Sequence, residues 1–231
     1  MKRLYAPPAW TSSMSDQRSL PVSPRIEFYF DFGSPNAYLS YTVIAGIEAR
    51  LGPVFDLKPA LLGGIFKATG NQSPGVTLAG IPTKAAYERK ENDRFIARHG
   101  LTAFRFNPAF PINTLHMMRG AVLARRLGLF DAYVAAVYAA MWEDALNMGD
   151  LEVFHGVLDR AGLPTQAFRD HIVDADVKQG LIASTEEAIG RGVFGSPMFF
   201  VGDEMFFGKD RLRDAEEEFL RQSRAGVPPV A

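Results

Sequence analysis

The sequence predicts an α/β fold in which one mixed sheet is assembled from the two ends of the chain, with a long helical block between them. Three observations carry this. Residues 26–32 (IEFYFDF) alternate and are β-branched and aromatic, a helical period follows, and FDLKPALL (55–62) reads as a second strand. Between residues 65 and 189 the periodic segments are helical. The end of the chain returns to strand, tight turn, strand and helix.

Each element has a local reason. In the first strand Ile26, Phe28 and Phe30 fall on one face and Glu27, Tyr29 and Asp31 on the other. Gly33-Ser34-Pro35 stops it. Tyr38, Leu39, Tyr41, Ile44 and Ile47 then recur at helical spacing until Gly52-Pro53. Pro59 argues that the second strand is an edge or ends early. Helices are expected over 82–99, with an apolar stripe at Tyr87, Phe95 and Ile96; over 114–127, capped by Asn113; and over 130–142, which is apolar, Ala-rich and suited to burial. Shorter ones follow at 151–161, 164–172 and 174–190. Met198–Val201 and Met205–Phe207 form a hairpin around Gly202-Asp203, and 209–222 is a closing helix.

A βαβ half and a ββα half around one mixed sheet make the thioredoxin-like arrangement. Residues 26–64 and 190–222 form that discontinuous domain, and 65–189 form an all-helical insertion. Residues 1–25, rich in Pro and Ser and without a period, read as a disordered leader, and 223–231 as a flexible tail.

Composition narrows the function. The chain has 231 residues, 47% hydrophobic and 22% charged, with a net charge of −1, so no basic field suggests nucleic acid or an anionic membrane. No apolar run is long enough to span a bilayer. Cysteine is absent, which excludes disulfides, thiolate metal sites and a cysteine nucleophile. The four histidines are scattered without ligand spacing, so no metal site is expected. Gly190 to Gly195 matches G-x-G-x-x-G, but a helix precedes it and a strand follows, the reverse of what dinucleotide binding requires.

Two corners carry chemistry. Ser34 before Pro35 suits a helix N-terminus, where Ser caps free amides; the same free N–H groups and dipole stabilise an anion such as a thiolate. Ser196-Pro197 enters a strand after a Gly-rich turn, and a cis bond there would turn the amide and carbonyl of Ser196 outward toward a peptide-like ligand. Asp210, at the start of the last helix, could cap it or hold a ligand ammonium, and Lys209 could be solvated surface. Asn71 reads as a turn residue and Lys84 as solvated. The run 105–114 (RFNPAFPINT) is either packing beneath a loop or an aromatic wall for a planar substrate.

The stretches FYFDFGSPNAYLS, FKATGN, FPINTLHMMRGA and GVFGSPMFFVGDEMFFGKDRL together resemble the 2-hydroxychromene-2-carboxylate isomerases, of the kappa-class glutathione transferase group in the DsbA-like branch of the thioredoxin fold. The resemblance spans about residues 26–222. DsbA-like oxidoreductases carry Cys-Pro-x-Cys where this chain has Ser34-Pro35-Asn36-Ala37, so the resemblance implies that the sulfur comes from bound glutathione, with Ser34 favouring its thiolate. It further implies that Asn71, Ser196, Pro197, Lys209 and Asp210 hold glutathione, and that Lys84 and Asn113 face a small aromatic carboxylate substrate. The implied reaction is isomerisation through a transient thiolate adduct, in a cytoplasmic homodimer; the apolar helix 130–142 leaves room for a subunit interface. A kappa-like transferase or peroxidase acting on other electrophiles, and a non-catalytic binding protein on the same scaffold, are the alternatives.

Overall fold

The computed structural model describes residues 24–225. Most of the expected leader, 1–23, and the end of the expected tail, 226–231, lie outside the described residues. Arg25 already belongs to the fold, donating to the carbonyl of Phe55 at 2.7 Å.

Four strands form one mixed sheet in the order β2-β1-β3-β4. Strand β1 (Ile26–Phe30) lies parallel to β2 (Phe55–Pro59) and antiparallel to β3 (Met198–Val201), which pairs with β4 (Glu204–Phe207). Helix α1 (Pro35–Leu51) joins β1 to β2. The alternation read from the sequence is the one that sorts the core. Ile26, Phe28 and Phe30, with Phe199 and Val201, enter the large cluster on one side of the sheet; Tyr29, Met198 and Phe200 enter a smaller one on the other. Pro59 ends β2, which is an edge strand, so its missing N–H breaks no ladder.

Three expectations need correction here. The second strand stops at Pro59 rather than at Leu62, and helix α2 (Leu62–Thr69) follows at once, so the domain boundary drawn at 64/65 falls inside it. A one-turn helix α3 (Pro74–Thr77) was also unforeseen. In α4 (Pro82–His99) only Phe95 of the expected stripe is buried; Tyr87 is exposed.

The helical block is α5 (Leu115–Arg126), α6 (Phe130–Trp142), α7 (Leu151–Arg160), α8 (Thr165–His171) and α9 (Ala175–Gly190). It shares the core of the sheet rather than standing apart from it. Phe30 and Phe32 pack against Tyr138 at 5.8 and 4.9 Å between ring centroids, and Phe32 against Tyr133 at 6.0 Å. Edge-to-face and offset contacts of this kind each add about 0.5–1.5 kcal/mol beyond the area they bury. Tyr133, Val134, Val137, Tyr138, Met141 and Trp142 are all buried in this way. The apolar face of α6 is therefore consumed inside the protomer and is not the subunit surface the sequence suggested. The last helix, α10 (Leu212–Ala225), starts later than expected, after a 3-10 turn at Lys209–Arg211, and runs to the end of the described residues.

Gly120, buried on α5, marks the tightest seam of this core. A Cβ there would lie 2.0 Å from the hydroxyl of Tyr133, which donates to the carbonyl of Met117 at 2.7 Å. Alanine is the better helix former by about 1 kcal/mol, yet Gly120→Ala is expected to lower stability by about 1–3 kcal/mol through overpacking. Urea denaturation of the two proteins checks this; equal or greater stability of the variant would contradict the packing described.

Candidate active site

The corner between β1 and α1 is built on a carboxylate. Asp31 is fully buried. Its Oδ1 accepts from Gly33 N–H and its Oδ2 from Leu62 N–H, both at 2.8 Å. One side chain thus ties the turn before α1 to the first residue of α2. Gly33 leaves little room here: a Cβ would come within 3.0 Å of Thr114 Cγ2 and 3.3 Å of Asp31 Oδ1, so those atoms would have to give by a few tenths of an ångström. Burial raises the Asp31 pKa above the usual aspartate range, and the hydrogen bonds from Gly33 and Leu62 oppose that shift.

Ser34 sits above this corner, 6% exposed. It is the N-cap of α1: its Oγ accepts from Ala37 N–H at 3.1 Å. The same hydroxyl donates to the carbonyl of Ser196 at 2.8 Å. Pro35 has no N–H, so among the described residues the first backbone donor of α1 left without a partner is that of Asn36. Asn36 Oδ1 is likewise buried without a partner.

The Ser196-Pro197 bond is cis, and the segment is clamped on both sides. Asp31 N–H donates to Ser196 Oγ at 3.2 Å, Asn71 Nδ2 to the carbonyl of Phe194 at 2.8 Å, and Gly208 N–H to the carbonyl of Pro197 at 3.0 Å. Ser34, Asn71, Ser196, Pro197 and the 208–210 turn are therefore brought to one end of the sheet. The G-x-G-x-x-G stretch runs from α9 into β3, the order that speaks against a nucleotide site.

The remaining candidates are placed differently. Lys209 is not solvated surface; it is 3% exposed. Its Nζ bonds Asp210 Oδ2 at 2.8 Å and lies 5.4 Å from the centre of the Phe95 ring. Asp210 does not cap the last helix; its side chain is 62% exposed and carries the lysine's charge partner to the surface. Asn113 lies one residue before Thr114, the N-cap of α5, rather than at the cap itself, and its Oδ1 accepts from Leu115 N–H at 3.0 Å. Lys84 stands exposed in the first turn of α4, about 16 Å along the helix from Phe95; among the described residues no hydrogen bond or ion pair joins it to Ser34.

The aromatic run packs beneath a loop, as one of the two readings had it, and leaves one ring exposed. Asn107, fully buried, donates to the carbonyls of Met141 and Leu146 at 2.9 and 2.8 Å and fixes the loop. Phe110 is half-buried against Trp142 at 6.1 Å, whereas Phe106 is 60% exposed. Trp142 Nε1–H donates to the carbonyl of Phe32 at 2.8 Å, so this wall adjoins the Ser34 corner. Asp31, Asn107 and Trp142 were not anticipated as site-building residues. Each of them acts through a hydrogen bond to a partner at least 31 positions away, which no local pattern reveals.

The chain matches the family described as the DSBA-like thioredoxin domain over residues 25–219, and it belongs to that family. It is 28% identical over 199 residues to a 2-hydroxychromene-2-carboxylate isomerase of Sphingobium xenophagum, covering 86% of this chain and 99% of that protein. It is 24% identical to human glutathione S-transferase kappa 1, covering 91% and 97%. Among solved structures, a 2-hydroxychromene-2-carboxylate isomerase superposes with a TM-score of 0.74 at 28% identity over 87% of this chain and 96% of the other. A probable DsbA oxidoreductase of Streptomyces coelicolor, at 20% identity and a TM-score of 0.63, shares the fold over 90% of this chain and 93% of its own.

The raised pKa of Asp31 gives a test of the corner. A carboxyl whose pKa is higher folded than unfolded stabilises the fold at low pH and loses that contribution as the pH rises through its folded value. The stability advantage of the wild type over Asp31→Asn is therefore expected to be larger at about pH 4 than at about pH 8. Urea unfolding at both pH values checks the sign. An advantage that grows with pH would mean that the two backbone hydrogen bonds, not burial, dominate.

Proposed function

We propose that this chain is a glutathione-dependent isomerase that converts 2-hydroxychromene-2-carboxylate to trans-o-hydroxybenzylidenepyruvate. The observation that carries the reading is the placement of the Ser34 hydroxyl at the N-terminus of α1, 2.8 Å from the carbonyl of Ser196, in a chain without cysteine. The relatives named for this reaction, and those named as kappa glutathione transferases, span most of the chain and support it.

The residues present fit a thiol tripeptide. The Ser196 carbonyl has a second lone pair for a backbone N–H, the partnerless Asn36 N–H and the α1 dipole favour an anion, and Asp210 offers an exposed carboxylate to an ammonium group. Glutathione, when bound, supplies the thiolate nucleophile that the chain lacks. The chain's own work is to hold and polarise. Ser34 donates its hydrogen toward the sulfur and, with the helix terminus, lowers the cost of ionising a thiol whose unperturbed pKa is about 8.5. Ser196 and Pro197 set the backbone of the ligand, and Asn71 keeps their segment in place. Asp210 receives the γ-glutamyl ammonium, and buried Lys209 fixes the Asp210 carboxylate rather than reaching the ligand itself. Lys84 and the free Nδ2 of Asn113 are assigned to the substrate carboxylate, and Phe106 with Phe110 to its planar ring.

The alternative, a kappa-like transferase acting on another electrophile, is favoured by the likeness to the human kappa enzyme. Incubation with the chromene carboxylate and a sub-stoichiometric amount of glutathione separates the two. Isomerisation is expected to proceed through many turnovers with glutathione recovered intact, and Ser34→Ala is expected to slow it at least about tenfold, the equivalent of one pKa unit of lost thiol activation. Stoichiometric consumption of glutathione would point to transfer, and no turnover would count against both.

A further inference from the structure

The Ser34 hydroxyl has one hydrogen, and the fold gives it to the carbonyl of Ser196 at 2.8 Å. The hydroxyl oxygen is meanwhile held by Ala37 N–H at 3.1 Å, so it stays at the helix terminus whichever way the hydrogen points. The carbonyl cannot follow it. Ser196 is pinned through its own Oγ by Asp31 N–H, and its neighbours Phe194 and Pro197 are held by Asn71 and Gly208. Among the described residues, the Ser34 hydroxyl is the one donor this carbonyl has. A hydrogen turned toward a ligand sulfur therefore strands a half-buried acceptor, which is unfavourable unless another donor arrives.

We infer that the Ser34–Ser196 hydrogen bond is a latch: a ligand amide N–H that docks on the Ser196 carbonyl frees the Ser34 hydrogen for the ligand's sulfur. This rests on the glutathione reading above. The second lone pair of the carbonyl does not remove the competition, because the scarce partner is the single O–H hydrogen, claimed by two acceptors. The latch selects a class of thiol. A thiol carrying an amide N–H on the carbon next to its CH2–SH group brings the replacement donor with it and is activated. A simple thiol without that N–H leaves the hydrogen on Ser196 and meets an unresponsive Ser34.

The test compares glutathione with its analogue methylated at the cysteine nitrogen, on the wild type and on Ser34→Ala. Dissociation constants are measured from about pH 6 to about pH 10, across the ordinary thiol pKa, by competition with a fluorescent glutathione conjugate. Glutathione is expected to tighten on the wild type as the pH rises toward the free thiol pKa, and to show little such gain on Ser34→Ala. The analogue is expected to bind the wild type at low pH within about tenfold of glutathione, because one hydrogen bond is exchanged for another. Its gain with pH should be at least about threefold smaller than that of glutathione and as small as on Ser34→Ala. The latch is overturned if the analogue tightens with pH as much as glutathione, or if it fails to bind at all. Absence of glutathione binding, or of any gain with pH, overturns the parent reading instead.

Discussion

The carboxylate of Asp31 is the constraint on which the site is built. A carboxylate taken fully out of water persists only where its oxygens are matched by donors, and here those donors come from two separate places: the turn before α1 and the start of α2. The main chain of the same residue extends the join, its carbonyl accepting from Ser34 N–H at 3.0 Å and its N–H donating to Ser196 Oγ. Sheet, helical insertion and the segment entering β3 thus meet at one residue. Ser34 and Ser196, 162 positions apart in the chain, stand in hydrogen-bonding register because both are fastened to it.

Electrostatics at this end of the sheet divide the labour. The terminus of α1 is the positive element, with Asn36 N–H as its partnerless donor and Ser34 as a hydroxyl that can turn. The buried ammonium of Lys209, packed over Phe95, holds the outward-facing Asp210 carboxylate and offsets its charge. Phe106 and Phe110 add an apolar wall anchored through Trp142 to the carbonyl of Phe32. A hydrophobic floor, a hydroxyl at a helix terminus and a turned-out carbonyl are what a scaffold needs if it is to borrow its reactive group.

Much of the fold was legible because its signals are local. The alternation of Ile26, Phe28 and Phe30, the break at Gly33-Ser34-Pro35 and the turn at Gly202 each determine their own surroundings, and the observed β1, α1 and hairpin follow from them. Helix α2 was missed for a physical reason. Its N-cap Leu61 makes no side-chain cap, and the first N–H of the helix is satisfied by Asp31 from 31 residues away, so a stretch with Gly63 and Gly64 showed no start signal of its own. Lys209 misled in the same way: among polar neighbours it reads as surface, and only the packing of α4 across it puts it in the interior. The apolar richness of α6 was read correctly as a sign of burial, but what it covers lies inside its own protomer, the neighbouring helices α5, α7 and α1 together with Phe30 of the sheet. Ser34 and Ser196 stood out through their Ser-Pro motifs and Asn71 only through the family resemblance, whereas Asp31 looked like one more alternating strand residue.

The most direct measurement is the ultraviolet thiolate absorbance of glutathione titrated with pH in the presence of saturating wild-type protein and of Ser34→Ala. The account requires the wild type to lower the thiol pKa below its ordinary value of about 8.5, and Ser34→Ala, still folded and still binding, to return it most of the way. A bound thiol that titrates at its ordinary pKa on both proteins would leave Ser34 as a helix cap and nothing more, and would contradict the role given to this corner.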